Sequence, residues 1–286
     1  MKARNAKRKF FDKAATFFLW TFAFAVAAIL FLILGFVVSR GWKALSLDFI
    51  LEPPRDGMTA GGIRTPLLGT LQLIAVSMLA VVPIGVGTGL YFSEYAAGSF
   101  FTHLLRLAIR SLAGVPSVVF GLFGLSFFVV FLRFGSSMLS ASLTLACLSL
   151  PLMVTSAEQA FKAVPPELRD ASYALGATKW QTIRKVVLPS AASTVVTGTV
   201  LSIGRVAGET APIIFTGATF YTQSAAAGLF DEVMALPYHV YVLATAGTNI
   251  ERTRPLQYGA ILVLVGLVLG ISSVGMWMRI RMQKDA

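Results

Sequence analysis

The chain has 286 residues, of which 56% are hydrophobic and only 13% are charged, and its mean hydropathy is +0.76. A composition this apolar excludes an ordinary soluble domain and indicates a membrane protein. The net charge is +11, and a strongly positive charge is also typical of nucleic-acid-binding proteins. In so apolar a chain, lysine and arginine are better explained as residues that orient membrane spans, so no nucleic-acid partner is expected.

The first part of the chain predicts a cytoplasmic basic arm followed by a membrane span. Residues 1–13 contain six lysines and arginines, and residues 14–39 contain no charge. That uncharged run is too long for a signal-peptide core, so we predict an uncleaved first transmembrane helix. Residues 40–66 form a polar connection, in which Pro53-Pro54 and Gly61-Gly62 are turn signals.

Five further apolar runs predict an all-α, polytopic protein with six transmembrane helices. The run at 65–93 is interrupted by Pro83, Gly85, Gly87 and Gly89, which membrane helices tolerate when neighbours pack closely. Gly114 to Ser117 predicts a kink or a close contact near the start of the third span. The later predicted spans follow at about 110–132, 134–157, 191–219 and 255–278, with a second long connection at 221–254.

The distribution of basic residues predicts which ends of the spans face the cytoplasm. Six spans place both termini on one side of the membrane, and that side carries sixteen of the lysines and arginines, against seven on the other side. The positive-inside rule then places both termini and the loop at 158–190 in the cytoplasm.

No residue pattern for catalysis is found. No lysine follows a glycine, so the phosphate-binding motif G-x-x-x-x-G-K-[ST] is absent, and no nucleophile is paired with a base. His103 and His239 stand alone, and Cys147 is expected to be a small buried side chain. We therefore predict no catalytic residue, no metal, no cofactor and no enzyme activity.

The longest polar, helix-compatible segment runs from Glu167 to Pro189, and we call it the docking segment. Its first short helix should end at Gly176, a left-handed stop. Its second helix should begin at Thr178, which forms a capping box with Gln181, and should end at Pro189. In the second helix the apolar face is predicted to contain Trp180, Ile183 and Val187. Two interpretations remain open on these grounds, a handle for a partner protein and a solvated basic loop.

The spacing within the docking segment resembles the EAA loop of ABC importer permeases. Asp170-Ala171-Ser172 is followed by three residues, Gly176, nine residues and Val186-Val187-Leu188-Pro189. The family pattern has Glu, Ala and Ile where this chain has Asp170, Ser172 and Val186. The resemblance implies an ABC importer type I permease fold and a cytoplasmic loop that docks on an ATPase subunit. The coupling residues that it implies are Asp170, Ala171, Gly176, Lys179, Trp180, Leu188 and Pro189.

Two ionisable residues, Arg205 and Glu209, lie inside the predicted fifth span. They are four residues apart and should share one helix face. A charge near the bilayer centre costs about 2.5–3.5 kcal/mol on insertion scales, so both need a partner, water or a polar pathway. Gly204 and Gly208 form G-x-x-x-G and predict close approach of another helix. The pair is either a structural ion pair or part of a route for an anion.

The sequence around this pair is similar to that of phosphate-transport permeases of ABC importers. The similar stretches are A-G-E-T-A-P-I-I-F-T-G from Ala207, Y-A-L-G-A-T-K-W from Tyr173, Pro53-Pro54 with Gly61-Gly62, and Ala235-Leu236-Pro237. The resemblance implies a core permease domain at 67–278, a cytoplasmic tail at 279–286, and Arg205 and Glu209 on the substrate pathway. It also implies a bacterial inner-membrane complex with a homologous second permease, two ATPase copies and an extracytoplasmic phosphate-binding protein.

Three other functions are weighed against phosphate import through such a complex. The chain could be a permease for another oxyanion, such as sulfate, molybdate or phosphonate, and the sequence does not separate phosphate from arsenate. A self-sufficient secondary transporter would need no ATPase handle, so the docking segment argues against it. A scaffold without a substrate route is disfavoured by Arg205 and Glu209.

Overall fold

The computed structural model describes residues 2–96, 98, 100–246 and 250–284, so Met1 of the predicted arm and residues 285–286 of the predicted tail lie outside it. The described chain is mostly helical, as predicted. Its α-helices are α1 (Lys2–Gly41), α2 (Leu47–Leu51), α3 (Arg64–Glu94), α4 (Phe100–Leu112), α5 (Ser117–Gly124), α6 (Met138–Lys162), α7 (Pro166–Ala174), α8 (Lys179–Thr182), α9 (Leu188–Gly208), α10 (Ala211–Thr216), α11 (Leu236–Thr245) and α12 (Ile250–Lys284).

Shorter elements link these helices. Two 3₁₀ turns, at Trp42–Ala44 and Asp56–Met58, lie in the first connection. There β1 (Pro54–Arg55) pairs antiparallel with β2 (Ala60–Gly61). Two π-helical turns, Leu125–Phe131 and Ile183–Val187, extend α5 and α8.

Five helical stretches of the described chain are long and apolar enough to cross a membrane. If α4 and α5 together form one bent span, the number rises to six. These two helices meet at an angle of 104°. The predicted kink at Gly114–Ser117 is therefore present. The stretch between the predicted spans at 65–93 and 110–132 is not a simple connection, because α4 occupies much of it. Pro116 restricts the residue before it to extended backbone, which explains why the chain breaks there.

The most buried candidate span is α6, and α3, α5, α9 and α10 pack against it. It begins after Ser137, whose hydroxyl accepts a hydrogen bond from the Ser140 N–H. Close approach of α3 depends on Gly85 and Gly89. A Cβ atom at Gly85 would lie 2.5 Å from Met153, and one at Gly89 would lie 2.6 Å from Ala157. The prediction that glycines in the second span allow close packing is confirmed at these two positions.

The last two spans have other bounds in the structure than those predicted. The fifth span does not continue from 191 to 219, because α9 ends at Gly208 and the chain restarts as the short helix α10. The connection predicted at 221–254 contains α11, and α12 already begins at Ile250. Pro255 did not mark the helix start, because a proline within a membrane helix is tolerated where neighbours satisfy the freed backbone groups.

One buried histidine in α11 predicts a pH-dependent stability. His239 is 3% exposed, and burial lowers its pKa from 6.5 to about 4. Between these two values the unfolded chain binds a proton that the folded chain excludes, so stability falls as the pH falls. We expect a loss of about 2 kcal/mol between pH 6.5 and pH 5. Thermal unfolding in detergent at these two pH values measures it. His239→Gln should flatten the dependence, whereas the exposed control His103→Gln should keep it.

Candidate functional site

The docking segment folds as two short helices joined by a tight turn. Gly176 has a φ of +80°, and its N–H donates to the Tyr173 carbonyl while the Ala177 N–H donates to the Ser172 carbonyl. This is the Schellman arrangement that ends a helix at a left-handed residue. In the capping box, the Thr178 N–H donates to Gln181 Oε1 at 2.8 Å and the Gln181 N–H donates to Thr178 Oγ1 at 3.4 Å. The predicted turn and cap are confirmed.

Pro189 does not end the second helix, contrary to the prediction. The helix passes through the π-helical turn Ile183–Val187 directly into α9, so that residues 179–208 form one continuous stretch. In this turn the Leu188 N–H donates to the Ile183 carbonyl, five residues earlier. The wider turn accommodates a proline ring that would otherwise clash with the preceding turn.

Arg169 fastens the docking segment to the ends of two membrane spans. Its Nη2 lies 2.9 Å from Glu94 Oε1 at the end of α3 and 2.8 Å from the Phe161 carbonyl of α6, while Nη1 lies 2.6 Å from the Val164 carbonyl. The two side chains are only 17% and 7% exposed. A cation that binds the last carbonyls of a helix and a buried carboxylate together holds the two spans and the loop in one arrangement.

A second ion cluster ties α4 to the same end of α6. Glu158 Oε1 lies 3.0 Å from Arg106 Nε and 2.7 Å from Lys162 Nζ. Arg106 also donates to the Phe92 carbonyl at 2.6 Å and stacks over the Phe92 ring. The ends of α3 and α6 and the middle of α4 are therefore joined beside the docking segment.

Inside the docking segment, α7 and α8 are held together by polar contacts. The Ser172 and Thr182 hydroxyls are 2.9 Å apart, and Thr182 is buried. Ser172 is one of the departures from the EAA pattern, and this hydrogen bond gives its hydroxyl a role. Lys179 Nζ lies 4.3 Å from the centre of the Tyr95 ring, which joins α8 to the residue after α3.

Most of the predicted coupling residues lie on the outer surface of the docking segment. Asp170, Ala171, Gly176, Lys179 and Pro189 are exposed, and Leu188 is half-buried. The predicted apolar face of the second helix does not lie on one side of the structure, because it is partly buried and partly exposed.

Ile183 and Val187 are fully buried, whereas Trp180 is 57% exposed. Leu175, at the tip beside Gly176, is 90% exposed. The segment thus presents apolar side chains outward while its other face packs on the spans.

The second candidate site is the charged break, residues 205–210, where α9 ends. Glu209 follows the last helical residue and has extended backbone, with ψ of 130°. The prediction that Arg205 and Glu209 share a face of one continuous helix was therefore wrong. They still pair, with Arg205 Nε 3.7 Å from Glu209 Oε1 and side-chain exposures of 33% and 19%. The break in the backbone lets the carboxylate turn back towards the arginine.

The charged break lies opposite the middle of α6. On its α9 side, the Ser202 hydroxyl lies 3.9 Å from Met153 Sδ. On its α10 side, Thr216 borders Gly124, which also borders Thr144. A second interruption meets it there, because Ser117, the first residue of α5, lies beside the Glu209 carboxylate. Two broken helices that meet at mid-height and carry charged side chains are typical of substrate sites in transporters.

The predicted close approach at Gly204 and Gly208 is not seen. A Cβ atom at Gly204 would come no closer than 3.8 Å to Val268, and one at Gly208 would meet no described atom within 4 Å. Close contacts of α9 occur instead at Gly198, against Ser156, and at Val200, against Gly275 of α12. In the described residues no three metal-ligating side chains of histidine, cysteine, aspartate or glutamate come together.

Several residues of both sites were missed by sequence reasoning. Arg169 lies in the docking segment directly before the EAA-like stretch, but its partner Glu94 is 75 residues earlier. The sequence predicted Ser117 only as part of a kink and not as a neighbour of Glu209. The rarity of acidic residues could have indicated that Glu94 and Glu158 have specific partners. They are two of only thirteen acidic residues, and both flank apolar runs.

The chain matches known transport proteins over most of its length. Residues 82–280 match the family model described as binding-protein-dependent transport system inner membrane component. The probable ABC transporter permease protein YqgI of Bacillus subtilis is 33% identical over 95% of this chain and 96% of its own length. The phosphate transport system permease protein PstA of Mycobacterium leprae is 38% identical over 95% of this chain and 89% of its own length.

A solved structure shows the same fold. A chain of the MetNI methionine ABC transporter in an inward-facing conformation aligns with a TM-score of 0.62 at 19% identity, covering 77% of this chain and 95% of that chain. The similarity to inner-membrane transport components, together with the apolar helices, identifies a multi-pass inner-membrane protein. The predicted permease fold is confirmed. The chain belongs to the family of binding-protein-dependent transport system inner membrane components, and is therefore a permease subunit of an ABC importer and not an enzyme.

Proposed function

We propose that this permease carries inorganic phosphate and that Arg205 and Glu209 lie on its pathway. The observation that carries the proposal is a half-buried arginine–glutamate pair at the meeting point of two broken helices. The similarity to phosphate permeases supports this substrate. It does not decide the substrate alone, because YqgI is named without one and the MetNI transporter is named for methionine.

The geometry of Arg205 suits transient binding of a tetrahedral oxyanion. Among the described residues, Glu209 is the one ion-pair partner found for Arg205, and it approaches Nε from 3.7 Å. The remaining guanidinium N–H groups are free to donate to phosphate oxygens, and the planar fork allows two such bonds at once. The carboxylate keeps the arginine in place and lowers its net attraction, so that an anion can also leave.

A permease for sulfate or molybdate remains the nearest rival, because these oxyanions have similar shape. The test is uptake of labelled phosphate and labelled sulfate by a strain that lacks this chain, with and without a plasmid copy. We expect the copy to restore phosphate uptake at low external phosphate and to leave sulfate uptake unchanged. Restoration of sulfate uptake alone would contradict the proposal.

We further propose that the docking segment is cytoplasmic and binds an ATPase subunit, with both chain termini on the same side. The exposed apolar side chains of Leu175 and Trp180, beside Lys179, offer a surface for a cleft in that partner. Movement of the docking segment would reach the spans through Arg169 and Glu94. A homologous second permease, a second ATPase copy and an extracytoplasmic phosphate-binding protein complete the proposed complex.

Gly176→Leu is expected to weaken ATPase binding without blocking membrane insertion. The left-handed backbone at Gly176 costs a residue with a Cβ about 1–2 kcal/mol. An added Cβ meets no described atom within 4 Å, so backbone strain and not a clash is the cause. The measurement is co-purification of the ATPase together with phosphate uptake. Gly176→Asn, which tolerates this backbone, is the matched control and should stay near normal. Equal results for both variants at the wild-type level would remove Gly176 from the coupling argument.

A further inference from the structure

A polar cavity lies where the first membrane helix meets the last. The end of α1 packs against the third turn of α12, since a Cβ at Gly41 would lie 2.6 Å from the Tyr258 carbonyl. The Phe36 and Tyr258 rings meet edge to face at 5.7 Å. This end of α1 is on the side of the first connection, opposite the docking segment. Trp42, 70% exposed, lies next to the cavity residues, as expected at a membrane–water interface.

The cavity has an excess of positive charge. It has a volume of about 530 Å³ and is lined by Ser39, Arg40, Lys43, Glu251, Arg254, Pro255 and Tyr258. It therefore holds three cations and one carboxylate. In the described part of the chain, none of the three cations forms an ion pair, although Arg40 stacks over Phe36 at 5.6 Å. Unneutralised cations that converge on a cavity of this size favour an anionic ligand.

A shallow apolar groove on the surface of α1, lined by side chains of that helix alone, continues from this cavity. It has a volume of about 620 Å³, shares Ser39 with the cavity, and runs past Gly35 and Phe36 to Phe31. At a rise of about 1.5 Å per residue, the eight helical steps from Phe31 to Ser39 extend about 12 Å into the bilayer. That is close to the depth of one leaflet, whose hydrocarbon is about 15 Å thick.

We propose that the cavity and the groove together bind one anionic phospholipid, with its phosphate among Arg40, Lys43 and Arg254 and one acyl chain along Phe31–Phe36. The combined shape of the cavity and the groove favours a phospholipid over other anionic ligands. A free phosphate ion would use the cations but not the groove, and a docked soluble protein would not reach into the hydrocarbon. With the docking segment on the cytoplasmic side, the lipid belongs to the outer leaflet, and it would fasten α1 to α12.

The test uses the complex as it purifies with this chain, reconstituted in nanodiscs of phosphatidylcholine that contain a minority of photoreactive phosphatidylglycerol. Peptides of α1 and α12 should be labelled, and unlabelled phosphatidylglycerol should compete. The triple variant Arg40→Gln/Lys43→Gln/Arg254→Gln should lower this labelling by about tenfold or more. The matched control Arg55→Gln/Arg64→Gln/Arg133→Gln removes the same charge on the same side and should leave labelling unchanged.

A second arm tests the groove without changing any charge. Gly35→Leu places a side chain in the groove, and its Cβ would meet no described atom within 4 Å, so the helix should tolerate it. We expect labelling to fall, whereas Gly266→Leu, an equally open glycine of α12, should leave it unchanged.

Three results would overturn the proposal. Competition by inorganic phosphate as strong as that by phosphatidylglycerol would indicate a small-anion site. Equal competition by phosphatidylcholine would indicate an apolar groove with no anionic preference. Unchanged labelling in the triple variant, with loss only of stimulation by an extracytoplasmic binding protein, would indicate a protein-docking patch.

Discussion

Arg169→Gln is expected to abolish ATP-driven uptake, because this side chain joins the docking segment to the membrane spans. The change strands the buried Glu94 carboxylate and leaves the carbonyls of Phe161 and Val164 without their cation. Breaking one partner of a buried ion pair costs about 3–5 kcal/mol. That is enough to detach a short surface segment even if the spans themselves remain folded.

The experiment compares Arg169→Gln, Glu94→Gln and the double variant for membrane yield, ATPase co-purification and phosphate uptake. Both single variants should lose uptake. The double variant strands no charge, so its yield should recover, but uptake should remain low because the connection is still missing. Lys162→Gln is the control, since Lys162 is 54% exposed and leaves Glu158 paired with Arg106. Normal uptake in the double variant would show that Arg169 and Glu94 only stabilise the fold.

Arg205→Gln is expected to abolish phosphate uptake at nearly normal yield. Glutamine keeps hydrogen-bonding capacity and much of the length but loses the cation that a phosphate ion needs in a low-dielectric route. Glu209→Gln should also lower uptake. The arginine would then hold the anion more tightly and lose the carboxylate that orients it across 3.7 Å.

The double variant Arg205→Gln/Glu209→Gln separates a pathway from a structural ion pair. If the pair only fixes packing, each single change lowers the amount of folded complex and the double change restores both yield and uptake. If the pair lies on the pathway, the double variant assembles normally and still fails to transport. Yield and uptake measured side by side in all three variants decide between these outcomes.

The parts of the docking segment that follow from local chemistry were predicted correctly. Gly176 and the Thr178–Gln181 capping box are short-range features, in which the residue types themselves determine the backbone. Pro189 was misread because a proline in a sequence looks the same whether the helix stops or widens into a π-helical turn. That outcome depends on the packing of Ile183 and Val187, both fully buried.

The long-range parts of both sites could not be derived from one sequence. Arg169 and Glu94 are 75 residues apart, and nothing in the spacing of charges selects this pair over others. At the charged break, the sequence identified Arg205 and Glu209 as unusual for a span but indicated a continuous helix. The position of Ser117 beside Glu209 requires the arrangement of two interrupted helices around α6, which only the three-dimensional packing determines.

The most direct test of the proposed function is ATP-driven uptake by the complex reconstituted in proteoliposomes with its ATPase, second permease and binding protein. Labelled phosphate is supplied outside with ATP inside, and unlabelled phosphate, arsenate, sulfate or molybdate is added as competitor. We predict phosphate accumulation that stops without ATP, that phosphate and arsenate suppress, and that sulfate and molybdate leave unchanged. Accumulation of sulfate or molybdate with no phosphate uptake would contradict the account.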